Sequence, residues 1–77
     1  MDYVSEVVVY RDQRPSRGRR VRLNIGGFLS GGMTGDFYTD GDGVARVRHA
    51  STGTAEVYVD GNMATKGRVP GRLYVYL

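Results

Sequence analysis

Cysteine and tryptophan are absent from this 77-residue sequence, and histidine occurs once. Without cysteine no disulfide can form, and a single histidine cannot complete a Cys/His zinc site. A chain of this length buries only about 60% of the surface that it exposes when unfolded. The stability of the single expected domain, residues 1–77, therefore has to come from apolar packing or from oligomerisation.

Long apolar runs are also missing. No stretch approaches the roughly 18 apolar residues of a membrane span. The first residues, Met1-Asp2-Tyr3-Val4, lack the basic and apolar regions of a signal peptide. We therefore expect neither a membrane span nor a signal peptide. The compartment stays open, because the chain is equally compatible with the cytoplasm and with a module of a larger protein.

Acidic residues are fewer than basic ones. The sequence has eleven Lys and Arg and eight Asp and Glu, which gives a formal charge of +3. Ten of the eleven cations are arginine. Arginine binds carboxylates and phosphates through a planar fork of donors, so this excess favours anionic or planar partners.

Helical periodicity is not found, whereas short segments alternate between apolar and polar residues. The clearest is residues 19–25, where Val21, Leu23 and Ile25 share one face. Twelve glycines against two prolines fit short turns between strands. The pattern predicts strands at 3–10, 19–25, 44–50, 54–59 and 72–77, and a weak one at 62–67 after an Asp60-Gly61 turn.

Two segments are predicted as loops. Residues 11–18 contain Pro and Gly and no apolar side chain. Residues 26–35 are rich in glycine, and we expect their Phe28, Leu29 and Met33 to fold back over an open end of the core.

A turn near the middle, Thr39-Asp40-Gly41-Asp42-Gly43-Val44-Ala45, organises the predicted fold. The Asp40 side chain can accept backbone N–H groups, and Gly43 can take the positive φ that most residues avoid. The pattern predicts a type I turn closed by a left-handed glycine, joining residues 36–39 and 44–50 as a hairpin.

Six or seven short strands at regular spacing predict an all-β fold, a small antiparallel β-sandwich. The alternative is a small basic β-barrel.

The same residues resemble a known family. In order along the chain they are Arg14-Pro15, Val21-x-Leu23, Thr39-Asp40-x-x-Gly43-x-Ala45-x-Val47 and Gly53-x-Ala55-x-Val57-x-Val59-x-Gly61. This series is similar to the carboxypeptidase-regulatory-like, transthyretin-related family of small Ig-like β-sandwiches. The resemblance covers roughly residues 4–61 and implies a seven-stranded Greek-key sandwich that serves as a non-catalytic folding, spacer, adhesion or protein-binding module. The glycine-rich residues 26–35 and the tail 66–77 depart from the family pattern.

Arginine and tyrosine carry the functional prediction. Six arginines lie within twelve residues, and two more lie in the strand after the central turn. If these strands are neighbours, their outward arginines form one face for phosphate or carboxylate, to which tyrosines add stacking or protein contacts. The candidate binding residues are Arg11, Arg14, Arg17, Arg19, Arg20, Arg22, Arg46, Arg48, Tyr58, Tyr74 and Tyr76.

Catalytic and metal chemistry find less support. Asp36, Asp40 and Asp42 resemble calcium ligands, but the distal Glu of an EF-hand loop is missing, so we interpret Asp40 and Gly43 as a structural turn. His49 lies near Ser51, yet a partly buried strand-end histidine is the simpler interpretation. We therefore expect no catalytic residues, metal, cofactor or small-molecule substrate.

Together these observations predict a non-enzymatic binding or structural module with a protein partner or self-association. The alternative is a small basic β-protein that binds nucleic acid or another polyanion through its arginines. The last strand is expected at a sheet edge, where Tyr74 and Tyr76 invite pairing with another copy.

Overall fold

The computed structural model of the chain describes residues 2–26 and 32–77. Within these ranges the chain forms nine strands in two sheets and no helix. The strands are β1 (Tyr3–Arg11), β2 (Arg14–Pro15), β3 (Arg20–Ile25), β4 (Gly32–Met33), β5 (Phe37–Tyr38), β6 (Val44–His49), β7 (Gly53–Val59), β8 (Asn62–Val69) and β9 (Arg72–Tyr76).

The first sheet is built around β1. Strand β6 pairs with β1 antiparallel from Tyr3 to Val8, and β2 continues on the same side at Tyr10 and Arg11. Strand β9 pairs with β1 in parallel, from Glu6 to Tyr10, and takes the opposite side because residues of β1 pair with β6 and β9 at once. The order across this sheet is therefore β9, β1, and then β6 with β2.

The second sheet is antiparallel and has the order β8, β7, β3, and then β4 with β5. Asp60 and Gly61 join β7 to β8 with φ values of 51° and 87°, the positive pair that a two-residue hairpin turn needs. Because β4 and β5 both pair with β3, residues 32–38 form an interrupted edge of this sheet.

The core lies between the sheets because alternate residues of each strand face inward. Val7 and Val9 of β1 meet Leu23 and Val57 of the second sheet in one cluster, and all four are fully buried. The rest of this cluster is Val21, Ile25, Ala45, Val47, Ala55, Val59, Val69 and Val75, with Phe37 and Leu73 packed against it. Most of these side chains are β-branched, which suits a pleated, buried surface.

The predicted all-β sandwich is confirmed, and the barrel alternative is wrong because the described strands form two sheets that do not close. Among the described strands, six are five residues or longer and three have two residues each. The antiparallel prediction fails for one pair, since β1 and β9 run parallel. The local sequences of β1 and β9 do not indicate whether these two strands pair in parallel or antiparallel.

The predicted loops are partly wrong. Arg14 and Pro15 form β2, a hairpin with β1 around Asp12 and Gln13. Gly32–Met33 forms β4 instead of a loop, and Met33 is exposed instead of covering the core. Phe28 and Leu29 lie outside the described residues.

The hairpin predicted at the central turn is also wrong, although the turn itself forms. Strand β5, before the turn, pairs with β3 in the second sheet, whereas β6, after it, pairs with β1 in the first. The turn therefore carries the chain from one sheet to the other.

Candidate functional site

The predicted arginine face does not exist as a single surface. Arg20 and Arg22 belong to β3 in the second sheet, whereas Arg46 and Arg48 belong to β6 in the first. All four alternate with inward-facing residues, so the two pairs lie on opposite outer faces of the sandwich. The condition for a single arginine face, that these strands are neighbours, is therefore not met.

Three of the predicted arginines form ion pairs. Arg19 reaches Asp60 at 3.0 Å, and Arg22 reaches Asp36 at 3.1 Å. Arg46 contacts Asp40 at 3.1 Å and Glu6 at 3.6 Å. These cations are neutralised locally, so they add little to the attraction of an external anion.

The β1–β2 hairpin and the turn after it carry three predicted arginines that differ from these because they lack an ion-pair partner among the described residues. Arg11 and Arg14 are directly opposite each other across the hairpin, and Arg17 follows in the next turn. All three are exposed, and none forms an ion pair with a described residue. Like charges directly opposite on paired strands are unfavourable, so an anion bound here would relieve repulsion.

The outer face of the first sheet is apolar and aromatic, and we call it the tyrosine face. It consists of Val8, Tyr10, Val44, Tyr74 and Tyr76, which the strand registers bring side by side. Val8 and Val44 are 4% and 9% exposed although both point away from the core, because neighbouring side chains on this face cover them. A second, smaller apolar cluster therefore lies outside the sandwich.

Two tyrosines of this face stack on each other, and Tyr74 and Tyr76 are accessible. The rings of Tyr10 and Tyr76 lie 5.5 Å apart at an interplanar angle of 9°. Tyr76 is nevertheless 74% exposed and Tyr74 45% exposed. Tyrosine combines a large apolar surface with a polar tip, and it is enriched where proteins bind proteins.

Ion pairs border the tyrosine face on one side. Glu6 accepts from Arg72 at 3.0 Å and pairs with Arg46, which also reaches Asp40. A side-chain hydrogen bond with Tyr74, followed by the contact with Glu6, raises the pKa of Arg72 above its ordinary value. The border is therefore charged but close to neutral overall.

Tyr58 does not join the other predicted tyrosines. It lies on the outer face of the second sheet, opposite Arg22, and its hydroxyl donates to Glu56 at 3.3 Å. Desolvation and the negative charge of Glu56 raise the pKa of Tyr58. A surface that uses Tyr74 and Tyr76 therefore excludes Tyr58.

The central turn has the predicted local geometry. The Asp40 carboxylate accepts the N–H of Asp42 at 2.9 Å and that of Val44 at 3.0 Å. The bond from Val44 is the main reason that the pKa of Asp40 lies below its ordinary value, with smaller contributions from Asp42 and Arg46. Gly43 has φ = 77°, and its N–H donates to the Asp40 carbonyl at 2.9 Å. This geometry confirms the turn.

His49 belongs to a buried hydrogen-bond chain. Its Nδ1 lies 2.7 Å from the Ser51 carbonyl, and its Nε2 lies 2.7 Å from Ser5 Oγ. Because a carbonyl can only accept, Nδ1 carries a proton and donates to Ser51 O, and in that neutral tautomer Nε2 accepts from the Ser5 hydroxyl. Ser5 Oγ in turn accepts the N–H of Gly71 at 3.1 Å. The chain thus connects β1, β6 and the corner before β9.

A serine bound to a histidine also resembles a nucleophile with its base. Ser5, however, is fully buried and His49 is 5% exposed, so Ser5 Oγ is not accessible to a substrate in this conformation. We interpret the pair as structural. Beside it, a pocket of about 200 Å³ includes Ile25, Thr34, Arg48 and His49 in its lining.

The part of the chain that the structure describes contains neither of two further kinds of site, a metal centre and a membrane-spanning helix. Its His, Asp and Glu side chains form no group of three that could hold a metal ion. None of its segments forms a helix with the length and hydropathy that crossing a bilayer requires.

Sequence reasoning missed Ser5, Glu6, Tyr10 and Arg72. Ser5 has the same parity as Val7 and Val9, which places it inward, and Arg72 has the same parity as Tyr74. Those two positions were readable from the period of two. The contacts of Glu6 and Tyr10 with β9 depend on a parallel pairing that brings together residues 66 apart in sequence.

The fold and this surface define a class, a two-sheet β-sandwich with an exposed aromatic face. No protein-family model matches the chain, and the search of curated proteins found no relative.

Proposed function

We propose that this protein is a non-enzymatic binding or structural module that mediates protein–protein contacts, including self-association, through its tyrosine face. The observation that carries the proposal is the exposure of Tyr74 and Tyr76 beside the covered apolar pair Val8 and Val44. Exposed aromatic side chains around a small desolvated centre are typical of the energetic centres of protein interfaces.

The resemblance to the carboxypeptidase-regulatory-like, Ig-like sandwiches supports the same proposal, since that family implies a non-catalytic module. The two packed sheets are compatible with it. The neutralised border of Glu6, Asp40, Arg46 and Arg72 favours a protein surface over a polyanion, because it leaves little net charge next to the tyrosines.

Analytical ultracentrifugation over a concentration series up to millimolar tests this proposal. We expect the average mass of the unmodified protein to rise with concentration. The double variant Tyr74→Ser/Tyr76→Ser should stay monomeric, whereas the control Tyr38→Ser, which changes an exposed tyrosine of the second sheet, should behave like the unmodified protein. A monomer at every concentration, or equal loss of association in both variants, contradicts the proposal.

A second candidate function is polyanion binding, and the β1–β2 hairpin favours it. Arg11, Arg14 and Arg17 are cations without a described ionic partner at one end of the sandwich. Phosphate contacts made by such cations should weaken steeply with added salt as counterions are released.

A salt titration with a short single-stranded DNA tests this candidate. We expect weak binding that Arg11→Ser/Arg14→Ser abolishes. The control Arg22→Ser/Arg46→Ser, which removes the same charge from two arginines that are already in ion pairs, should leave it intact. Equal effects of both variants would mean that net charge alone, and not the hairpin, attracts DNA.

A further inference from the structure

The four edges of the two sheets differ in how open they are to another strand. In β6, the outward N–H and C=O of Val44 are both bonded to Asp40, and the next outward residues are Arg46 and Arg48. In the described part of the chain, β4 and β5 have two residues each and are interrupted by residues 34–36. Short strands and edge charges both hinder strand addition.

The edge at β8 is also protected. Its register with β7 shifts between Val57 and Tyr58, so that Ala64 is an extra residue, and exposed Lys66 and Arg68 follow it. Bulges and unpaired cations prevent the pairing of edges.

Strand β9 has none of these protections. It pairs without interruption with β1 over five residues, and its one charged side chain, Arg72, is held by Glu6. The bonds from Glu6 N–H to Gly71 O and from Leu77 N–H to Tyr10 O show which backbone groups face β1. Because these alternate along a strand, the N–H and C=O groups of Arg72, Tyr74 and Tyr76 point away from the sheet. They form no hydrogen bond with a described residue.

We infer that β9 pairs antiparallel with β9 of a second copy of this chain, about a two-fold axis at Tyr74. The inference rests on the proposed function and names its partner and register. With this axis, Tyr74 lies opposite its own copy and Arg72 lies opposite the second copy's Tyr76. All three outward residues then form hydrogen-bonded pairs, which gives six backbone bonds.

The side chains are complementary in this register. Arg72 and Tyr76 share one face of β9, so each Arg72 guanidinium comes next to an exposed tyrosine ring of the other copy, in reach of a cation–π contact. Glu6 and Tyr10 already hold these two side chains in place.

Other registers are poorer. Moving the axis to Arg72 places two like charges opposite each other and brings Pro70, which has no N–H, opposite Tyr74. Moving the axis toward Tyr76 leaves Arg72 without a tyrosine of the second copy opposite it, so the cation–π contacts are lost. A pair of identical edges about a two-fold axis uses both edges, so the assembly stops at a dimer. Five residues per strand form a small interface, and we expect a weak, reversible dimer.

Single cysteines test the register, because the chain has none of its own. Under oxidised glutathione, Tyr74→Cys should form a disulfide-linked dimer, since opposed residues lie about 5.5 Å apart between Cα atoms. Arg72→Cys and Tyr76→Cys should each stay unlinked when alone and should form a mixed dimer when combined. Tyr38→Cys, an exposed control on the second sheet, should remain monomeric.

The strength of association gives a second measurement. Arg72→Gln removes two cation–π contacts per dimer, and the dissociation constant measured by ultracentrifugation should rise roughly 5- to 30-fold. Arg48→Gln, at the opposite edge of the same sheet, should leave it unchanged.

The outcomes separate this inference from the proposed function. If the unmodified protein associates but Tyr74→Cys does not cross-link, or if Arg72→Cys links to itself, the β9 register is wrong while the tyrosine face stays a binding surface. If the unmodified protein is monomeric at all concentrations and no variant cross-links above Tyr38→Cys, both are wrong.

Discussion

Gly43 is the residue on which the crossing of the chain from the second sheet to the first depends. It combines a φ of 77° with a close approach to other backbone: a Cβ at this position would lie 2.6 Å from the Val9 carbonyl oxygen and 3.1 Å from Ser16 N. Its own carbonyl accepts the N–H of Val9, so it cannot move away without breaking that bond. Only glycine meets both requirements.

We therefore expect Gly43→Ala to destabilise the protein by at least about 1 kcal/mol, which lowers the unfolding midpoint by about 4–8 °C per kcal/mol. Two glycines supply controls. Gly18 has the same φ of 77° but open space around a Cβ, and Gly41 has open space and no positive φ. Thermal unfolding should rank the alanine variants in the order Gly43, Gly18, Gly41. Equal midpoints for Gly43→Ala and Gly41→Ala would show that the turn is not a constraint.

Asp40 and Asp60 make the stability of the protein depend on pH in the acidic range. Backbone bonds, from Val44 to Asp40 and from Arg20 to Asp60, are the largest cause of the lowered pKa of each carboxyl. A carboxyl with a lower pKa when folded stabilises the protein above its unfolded pKa near about 3.9, and this contribution is lost as the pH falls through the folded value.

The unfolding midpoint should therefore be constant from neutral pH to about pH 5 and should fall below about pH 4. Asp40→Asn/Asp60→Asn should lower the midpoint at pH 7 and reduce its change with pH. Asp42→Asn, whose side chain has no partner among the described residues, should keep the profile of the unmodified protein. A double variant with an unchanged acid profile would contradict this assignment.

At the scale of single elements, the sequence predicted the longer strands and missed two of the short ones. Residues 20–25, 44–49 and 53–59 alternate over three or more inward positions, which is enough to reveal a period of two. The two-residue strands β2 and β4 contain one inward position at most, so no period exists to be read. They form because β1 and β3 offer backbone partners, which is tertiary information.

The β1–β2 hairpin is a strained element. Its two turn residues, Asp12 and Gln13, have φ values of 52° and 66°, where a two-residue turn favours Asn-Gly. Gln13→Gly should therefore stabilise the protein by about 1 kcal/mol, and Gln13→Ala, which keeps a Cβ, should not. Chemical denaturation of the three proteins measures both differences. Equal stability of the glycine and alanine variants would mean that the turn carries no strain.

For the whole molecule, the sequence predicted the class of fold and the presence of arginines and tyrosines outside the core, but not which of them share a surface. Arg22 and Arg46 have the same outward parity and lie on opposite faces, because parity says nothing about which sheet a strand joins. The tyrosine face depends in the same way on β9 lying beside β1, a contact between the two ends of the chain.

That contact also decides how the protein responds to being stretched. Because β1 and β9 are parallel neighbours, Tyr3 and Leu77 lie toward opposite ends of the sheet, and tension between them makes the two strands slide past each other. The whole row of bonds from Glu6–Gly71 to Tyr10–Leu77 then bears the load together. Tension between Tyr3 and His49, partners in an antiparallel pair, opens the bonds of that pair one after another from a single end.

In single-molecule pulling, attachment at residues 3 and 77 should therefore require a clearly higher rupture force than attachment at residues 3 and 49. Equal forces would contradict this.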